Sequence, residues 1–317
     1  MNSVTIEDRP PPSATQLDPD YWGAIGNTPL IRLCRVTAGL PDGVEVFAKA
    51  EWFNPGGSVK DRPAAAILRH ALAEGQLDHG RVFLDSTSGN MGISYATLGA
   101  ALGIPIHIVI PSNASPERIT ILRSLGAELT LSDPLEGSDG ARDVAFEMAR
   151  EDPDRFYYAN QYSHPANLVA HYRTTGPEIY TQTSGRLTHF VAGLGTTGTM
   201  TGTGRYLKEV LPDVRLVAVQ PDGPLHGLEG LKYLTTENVP QIYDATIPDK
   251  ILEIQTEETY AMARRLANEE GMLVGISSAA AAVAALQIGA QLDEGVIVTL
   301  FPDSGVKYLS QPFWRSS

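Results

Sequence analysis

Lys60 stands at the end of a tight loop, at the point where the sequence predicts that a helix begins. The loop reads NPGGSV, and Pro63 and Gly75 suit the first turn and the end of a helix over residues 63–74. A lysine there lies near the positive end of the helix dipole, among unpaired N–H groups. Because that environment disfavours the ammonium, it favours the free amine, which attacks carbonyls to form a Schiff base. The alternative is a solvated lysine, as most lysines are.

A loop rich in glycine and threonine has the features of an anion site. It follows a predicted strand over residues 188–192, opens a predicted helix over residues 200–210, and contains Gly195, Thr196, Thr197, Gly198 and Thr199. Backbone N–H groups at a helix start bind phosphate, and threonine hydroxyls add donors. The spacing also satisfies the dinucleotide motif G-x-G-x-x-G, but the next strand ends in Gln220, where that motif expects an acid. We therefore predict that this loop binds a single phosphate.

Two more polar loops each follow a predicted strand and open a helix. The first reads DSTSGNMG and contains Thr87, Ser88, Gly89, Asn90 and Met91. It suits a carboxylate or a phosphate, and the Asn90 amide can bond a phenolic or carbonyl oxygen; the alternative is a capping loop. The second reads GISS, and we expect one of its serines, Ser277 or Ser278, to cap the alanine-rich helix that follows.

Composition excludes several classes of partner and site. The 317-residue chain has a net charge of −13, which disfavours nucleic acid and anionic membranes as partners. Its one cysteine, Cys34, excludes an internal disulfide and favours a reducing compartment, and the apolar residues around it predict that it is buried. The scattered histidines give no metal-ligand spacing, and no G-x-S-x-G motif occurs. We find no signal peptide and no apolar run long enough for a membrane span.

The alternation of strands and helices predicts an α/β protein with mostly parallel, twisted sheets covered by helices. The chain length favours two lobes. We expect a disordered, proline-rich tail over residues 1–20 and a smaller domain with the DSTSGNMG loop over residues 51–153. The larger domain, which carries the phosphate loop, would be formed by residues 21–50 and 154–317.

In their order along the chain, these loops resemble the pyridoxal-phosphate enzymes of the cysteine synthase family. That family includes O-acetylserine sulfhydrylases and cystathionine β-synthases and has the tryptophan synthase β-like fold, fold type II. The resemblance covers nearly the whole chain after the tail, and HYRTTGPEIY and HFVAGLGTTGT look most like the B-type enzymes. The motifs that carry it are GNTPL from Gly26, SVKDR from Ser58, TSGN from Thr87, HYRTTGPEI from His171, GLGTTGT from Gly193, GISS from Gly275 and PDSGVKYLS from Pro302.

The resemblance implies roles for these residues around the cofactor pyridoxal 5′-phosphate. Lys60 would hold the cofactor as an internal aldimine, Asn90 would bond its 3′ oxygen, and Ser277 would face its pyridine nitrogen. Residues 195–199 would bind its phosphate. The α-carboxylate of an amino-acid substrate would be held by Thr87, Ser88, Gly89 and Met91, with Gln161 assisting.

The implied reaction is a β-replacement that makes L-cysteine from an O-activated serine and sulfide or a related sulfur donor. Lys60 would remove the α-proton as general base, and a neutral serine at the pyridine nitrogen suits elimination over transamination. The family also implies a homodimer, and the single cysteine favours the cytoplasm, a reducing compartment. One alternative is another replacement or elimination on the same cofactor, such as O-phosphoserine-dependent cysteine synthesis, cystathionine formation or serine dehydration. An alternative of another class is a non-catalytic scaffold that binds a phosphate ligand.

Two features of the sequence bear on the choice of substrate. Met91 stands where the family's loop has a second threonine, which removes a hydroxyl but keeps the backbone N–H. Residues 220–234, where family members set the leaving group, offer His226 and Lys232 but no arginine. A phosphorylated serine would favour an arginine, so we expect O-acetylserine as the donor.

Overall fold

The computed structural model describes residues 19–87, 89–234 and 239–315. Within these ranges, strands and helices alternate as predicted. The strands are β1 (Leu30–Arg32), β2 (Gly43–Ala50), β3 (Val82–Ser86), β4 (Ile106–Pro111), β5 (Glu128–Ser132), β6 (Phe156–Tyr158), β7 (His189–Gly193), β8 (Arg215–Pro221), β9 (Lys250–Ile254) and β10 (Glu294–Phe301). The α-helices are α1 (Pro19–Gly23), α2 (Asp61–Ala73), α3 (Asn90–Leu102), α4 (Pro116–Ser124), α5 (Gly137–Glu151), α6 (Ala166–Arg173), α7 (Thr175–Gln182), α8 (Gly198–Val210), α9 (Thr256–Glu270) and α10 (Ile276–Gly289).

The described strands form two sheets. The larger has the order β1-β2-β10-β7-β8-β9 and is parallel except for β1, which runs antiparallel to β2. The smaller has the order β5-β4-β3-β6 and is parallel throughout. Strands β4 and β10 lie inside their sheets and read as near-continuous apolar runs, as strands covered on both faces do. The predicted α/β class, with two mostly parallel sheets covered by helices, is confirmed.

Local signals account for several helix ends. Ser115 caps α4 by accepting the Arg118 N–H at 3.4 Å, and Pro116 follows at the first helical position. Helix α9 has the predicted limits, with acids in its first turn and Gly271 in the left-handed conformation at its end. The capping prediction for the GISS loop is wrong. The N-cap of α10 is Gly275, and Ser277 and Ser278 lie inside the first turn with no side-chain capping bond.

The predicted burial of the lone cysteine is also wrong. Cys34 is exposed, although Leu33 beside it is buried. The chain has left β1 by this point, and the backbone N–H groups of residues 34–36 all donate to one carboxylate oxygen of Glu270, at 2.6–2.9 Å. An edge strand followed by such a turn has no neighbour that would cover the thiol.

The division into two lobes remains a proposal. Because β6 pairs with β3 in the smaller sheet, we propose a boundary after Tyr158 in place of the predicted one after Pro153. The predicted tail lies outside the described residues, except for residues 19 and 20, where α1 begins.

The predicted loops follow the carboxyl ends of parallel strands. The DSTSGNMG loop leaves β3, the glycine and threonine loop leaves β7, and the PDSGVKYLS segment leaves β10. Ligands of open parallel sheets bind at this edge, because the loops there converge and the helices that follow present their N-termini. The topology therefore places the candidate residues at the carboxyl ends of the strands in both sheets.

Candidate active site

The described residues form a cleft of about 660 Å³, and most of the predicted site residues line it. From that prediction the lining contains Lys60, Thr87, Asn90, Met91, Gln161, Gly195, Thr196, Thr197, Thr199 and Ser277. Gly89 and Gly198 are buried beside the lining, at the starts of α3 and α8. Ser88 lies outside the described residues. One cleft therefore brings together residues that are up to 217 positions apart, from Lys60 to Ser277.

Lys60 is the N-cap residue of α2 and is half-buried at the wall of this cleft. Its backbone N–H donates to Ser58 Oγ at 3.3 Å. Burial lowers the pKa of the Lys60 ammonium, and the nearby Asp303 carboxylate opposes that shift only in part. The amine is therefore more available as a base and nucleophile than the amine of a solvated lysine.

The neighbouring Asp61 fixes the loop that carries this lysine. One of its carboxylate oxygens accepts the Gly56 N–H at 2.6 Å, and the other accepts the hydroxyl of Ser94 in α3. Burial raises the pKa of Asp61 to about 6. The lysine loop and the helix that follows the DSTSGNMG loop are thus tied together through a single side chain.

The glycine and threonine loop fits a phosphate. Helix α8 starts with no side-chain cap, so the N–H groups of its first turn face the cleft without a capping acceptor. Thr197, which precedes the helix, adopts the left-handed conformation, and its buried Oγ1 has no hydrogen-bond partner. A Cβ on Gly195 would lie 2.5 Å from the Gly230 carbonyl oxygen, so only glycine fits there. An anion at this point would satisfy the orphaned hydroxyl and the helix start together.

His171 supports the phosphate loop from behind and was not assigned a role from the sequence. Its Nε2 lies 3.3 Å from Thr199 Oγ1, and its Nδ1 lies 2.9 Å from Thr175 Oγ1. Burial, with Arg62 and Lys60 nearby, moves the pKa of His171 well below its usual range. The ring is therefore neutral and orients the Thr199 hydroxyl without adding charge. The HYRTTGPEI motif contained this residue, but no local pattern indicated its contact.

The start of α3 fits a carboxylate. Its N-cap is Gly89, with no side-chain cap, and the Gly89 N–H donates to Thr87 Oγ1 at 3.0 Å. Met91 is buried in the first turn. Gln161 approaches from the loop after β6, where its Nε2 donates one hydrogen to the Ser86 carbonyl at 2.8 Å. The amide has a second hydrogen, so this anchor leaves Gln161 able to bond a ligand.

Ser277 lies across the cleft from these residues, in the first turn of α10. It is buried, and its Oγ is 3.5 Å from the position that a Cβ on Gly230 would occupy. A serine here presents a neutral hydroxyl to the cleft. Ser278 points away from the cleft and donates to the Asp303 carbonyl at 3.4 Å.

The outer wall of the cleft carries two cations that are each paired with an acid. Arg118 Nη1 lies 2.5 Å from a carboxylate oxygen of Glu229, and its guanidinium lies 4.7 Å from the Tyr308 ring centroid. Lys232 Nζ donates to Asp139 Oδ1 at 3.1 Å. Arg118 was not predicted as a site residue, because it comes from α4 and reaches the cleft only through tertiary packing. The positive charge of both cations is already compensated within the protein.

Residues 19–87, 89–234 and 239–315 contain no group of three His, Cys, Asp or Glu side chains that could hold a metal ion. Among the same residues, no helix has both the length and the apolar character that crossing a membrane requires.

Comparison with known proteins identifies the family. Residues 21–303 match the family described as "Pyridoxal-phosphate dependent enzyme". The chain belongs to this family. Its cofactor is therefore pyridoxal phosphate, and the orphaned Thr197 hydroxyl and uncapped α8 fit the phosphate of that cofactor. The predicted family and cofactor are confirmed.

Individual members of the family agree closely with this chain. Cysteine synthase from Aquifex aeolicus is 48% identical over 291 residues, covering 90% of this chain and 89% of the relative. Cysteine synthase B from Escherichia coli is 41% identical over 286 residues, covering 90% and 93%. The crystal structure of cysteine synthase from Entamoeba histolytica superposes with a TM-score of 0.89 at 32% identity, covering 100% of this chain and 94% of that one.

Proposed function

We propose that this pyridoxal-phosphate dependent enzyme is a cysteine synthase, which replaces the β-substituent of an O-activated serine with sulfide or a related sulfur donor. The observation that carries the proposal is the cleft itself. It holds one lysine of lowered pKa, one uncapped helix that fits a phosphate and one uncapped helix that fits a carboxylate. The relatives named cysteine synthase at 48% and 41% identity support it.

We propose the cofactor-binding roles that the family resemblance implies, for residues that line the cleft or lie beside it. Residues 195–199 would hold the phosphate, Lys60 would form the covalent link, Asn90 would bond the 3′ oxygen and Ser277 would face the ring nitrogen. Bound there, pyridoxal phosphate supplies an electron sink for negative charge that develops at the substrate α-carbon. The neutral hydroxyl of Ser277 leaves the ring nitrogen without a proton donor of carboxylic type. That arrangement suits β-elimination and replacement.

The substrate and proton-transfer roles follow in the same way. The start of α3, with Thr87, Gly89 and Met91, would bind the α-carboxylate, and the free hydrogen of the Gln161 amide would assist. Ser88 keeps the role that the resemblance implies. Lys60 would be freed when the amino group of the substrate displaces it from the cofactor. Its Nζ would then take the α-proton, and return it after the β-substituent has left and the sulfur nucleophile has added at the β-carbon. Burial lowers the pKa of the Lys60 ammonium, which favours the free amine that accepts this proton.

The charge balance of the outer wall supports O-acetylserine as the donor. The phosphate of a phosphorylated serine carries about two negative charges at pH 7. Binding it favours an arginine or lysine whose charge is not already paired. Arg118 is paired with Glu229 and Lys232 with Asp139, so binding a phosphate group would require both acids to be displaced. A neutral acetyl group needs no such rearrangement.

Borohydride reduction tests the central assignment. Treatment of the purified holoenzyme should fix the cofactor to Lys60, and peptide mapping should find the reduced adduct there. The variant Lys60→Ala should lose cysteine formation while keeping the circular dichroism spectrum of the native protein. An adduct on another residue, or cysteine formation at a comparable rate by the variant, would refute the assignment.

Steady-state kinetics with sulfide test the choice of donor. We expect O-acetylserine to give the higher kcat/KM and O-phosphoserine to be poor. The variant Glu229→Gln should improve the use of O-phosphoserine relative to O-acetylserine, because it releases the Arg118 charge. A wild-type preference for O-phosphoserine would show that the pairing does not decide the donor.

We further propose a homodimer and a cytoplasmic location. The support is the family membership and the single cysteine of the chain. Sedimentation equilibrium of the purified protein would measure its oligomeric state. A monomer at micromolar concentration would contradict the homodimer.

A further inference from the structure

The PDSGVKYLS segment, residues 302–310, has no role in the proposed function, yet two of its charged side chains are buried next to the cleft. Lys307 is 5% exposed and Asp303 is 0% exposed. Buried charges are costly unless each is paired and fully hydrogen-bonded, so their contacts indicate what they stabilise. Both contact the side-chain amide of Asn90.

Lys307 uses all three of its ammonium hydrogens inside the protein. Its Nζ lies 2.9 Å from Asn90 Oδ1 and 3.1 Å from the carbonyl oxygens of both Gly56 and Gly57. An ammonium can only donate, so the Asn90 atom beside it must be the amide oxygen. The same ammonium also holds the glycine loop that leads to Lys60.

Asp303 binds the other end of the same amide. Its Oδ2 accepts from Asn90 Nδ2 at 2.7 Å and from the Tyr308 hydroxyl at 2.8 Å. An ionised carboxylate can only accept, so the Asn90 atom beside it must be the nitrogen. The Asp303 backbone is itself fixed, since Gly275 N–H and Ser278 Oγ both donate to its carbonyl oxygen.

We propose that Lys307 and Asp303 are positioning residues that clamp the Asn90 amide in one orientation, with its second N–H directed to the 3′ oxygen of the bound cofactor. A flipped amide would place its NH₂ group against an ammonium and its oxygen against a carboxylate. The clamp therefore removes the wrong orientation before the cofactor arrives. This preorganisation raises cofactor affinity and sets the hydrogen bond that governs the electronic state of the ring.

The inference rests on the proposed role of Asn90, and a double-mutant cycle tests the two separately. The apoproteins of wild type, Asn90→Ala, Asp303→Asn and the double variant would be titrated with pyridoxal phosphate, and the visible band of each complex recorded. We expect Asp303→Asn to weaken binding about tenfold in the native background and to shift the band, because a charge-assisted hydrogen bond becomes a neutral one and the amide orientation is no longer fixed by charge. In the Asn90→Ala background the same change should have little effect. Asp154→Asn, at an exposed site, is the matched control.

Each outcome bears on the clamp. Equal losses from Asp303→Asn in both backgrounds, or no loss in either, would overturn it while leaving the role of Asn90 intact. Unchanged binding by Asn90→Ala would overturn the role of Asn90 and the clamp with it. Should Asp303→Asn fail to fold by circular dichroism, Lys307→Met decides the question in the same cycle. The effect of Lys307→Met on the visible absorption band should also depend on the presence of Asn90. Lys208→Met, at a surface ion pair, is the control for this variant.

Discussion

Asp85 lies between the two segments that we propose to bind the substrate carboxylate, and its replacement tests how they are held together. It is the first residue of the DSTSGNMG segment, lies one residue before the end of β3 and is 0% exposed. Its Oδ1 accepts the Ser86 N–H at 2.8 Å, and its Oδ2 accepts the Gln161 N–H at 3.3 Å. The side chain thus joins the two segments that we propose to hold the substrate carboxylate. The perturbation is Asp85→Asn, which keeps the shape and one acceptor oxygen but removes the titration.

The expected change in the free energy of unfolding with pH follows from the pKa of this carboxyl. Burial raises the pKa of Asp85 from 3.8 to about 7, against the hydrogen bonds it accepts. The folded protein therefore retains a proton that the unfolded chain releases. Asp85 makes its full contribution to the free energy of unfolding below about pH 4, and this contribution is lost as the pH rises through 7. The pKa rises by about three units, at about 1.4 kcal/mol each. The free energy of unfolding should therefore fall by at most about 4 kcal/mol between pH 4 and pH values above 7.

The surroundings of Asp85 keep the experiment simple. Tyr95, Tyr157, Tyr158 and Tyr162 lie around it, and burial followed by the Asp85 charge raises the pKa of each phenol. These tyrosines therefore stay neutral between pH 5 and 8 and contribute nothing to the pH dependence. Other groups that titrate in this range are present in both proteins and cancel in the difference.

The assay is thermal unfolding of wild type and variant at pH 5 and pH 8. Only about two units of that pKa interval lie between pH 5 and pH 7. Wild type should therefore lose up to about 2.7 kcal/mol more than Asp85→Asn over this range, or about 5 °C in Tm at roughly 2 °C per kcal/mol for a chain of this size. Asp154→Asn, at an exposed site, should follow wild type. Parallel pH profiles for wild type and Asp85→Asn would refute the conclusion that this carboxyl is protonated in the folded protein at pH 5.

Two more predictions concern buried polar groups. Arg62→Met should destabilise the protein by about 3–5 kcal/mol, because it leaves the carboxylates of Glu51 and Glu178 without their shared guanidinium. Arg265→Met at an exposed ion pair is the control and should lower the free energy of unfolding by less than about 1 kcal/mol. Equal losses for the two variants in denaturant unfolding would show that burial does not set the strength of these ion pairs. Thr197→Val should weaken pyridoxal phosphate binding about tenfold in an absorbance titration without destabilising the apoprotein, since that hydroxyl has no protein partner. Unchanged affinity would refute its role in the phosphate site.

The sequence was sufficient to predict the loops of the cleft. Parallel strands such as β4 give continuous apolar runs with clear ends, here at Pro111, and the polar loops that follow them stand out. Parallel topology then requires that such loops share one edge of a sheet. Those two facts place the loops of Lys60 and Thr197 at one edge of the larger sheet, whereas Asn90 follows a strand of the smaller sheet and was joined to them by the family resemblance.

The parts that could not be predicted depend on side chains that meet only in three dimensions. Arg118 looks like an ordinary first-turn arginine of α4, and nothing near it in sequence indicates a partner on Glu229. Lys307 looks solvated in its motif, yet it is almost fully buried. Helices α6 and α7 were missed because the pattern breaks at Thr174, where the two helices meet with non-helical backbone angles.

A buried ion cluster joins GNTPL and HYRTTGPEI, which do not line the cleft, to SVKDR, which carries Lys60. Thr28 from GNTPL, Arg62 from SVKDR and Glu178 from HYRTTGPEI meet around a single guanidinium. Glu51, which follows β2, completes the pair of carboxylates around it. Because Arg62 lies in the first turn of α2, two residues after Lys60, these contacts fix that turn from the side opposite the cleft. The position of the reactive amine is thus determined by residues that never touch the substrate, and their loss should displace Lys60 as well as destabilise the fold.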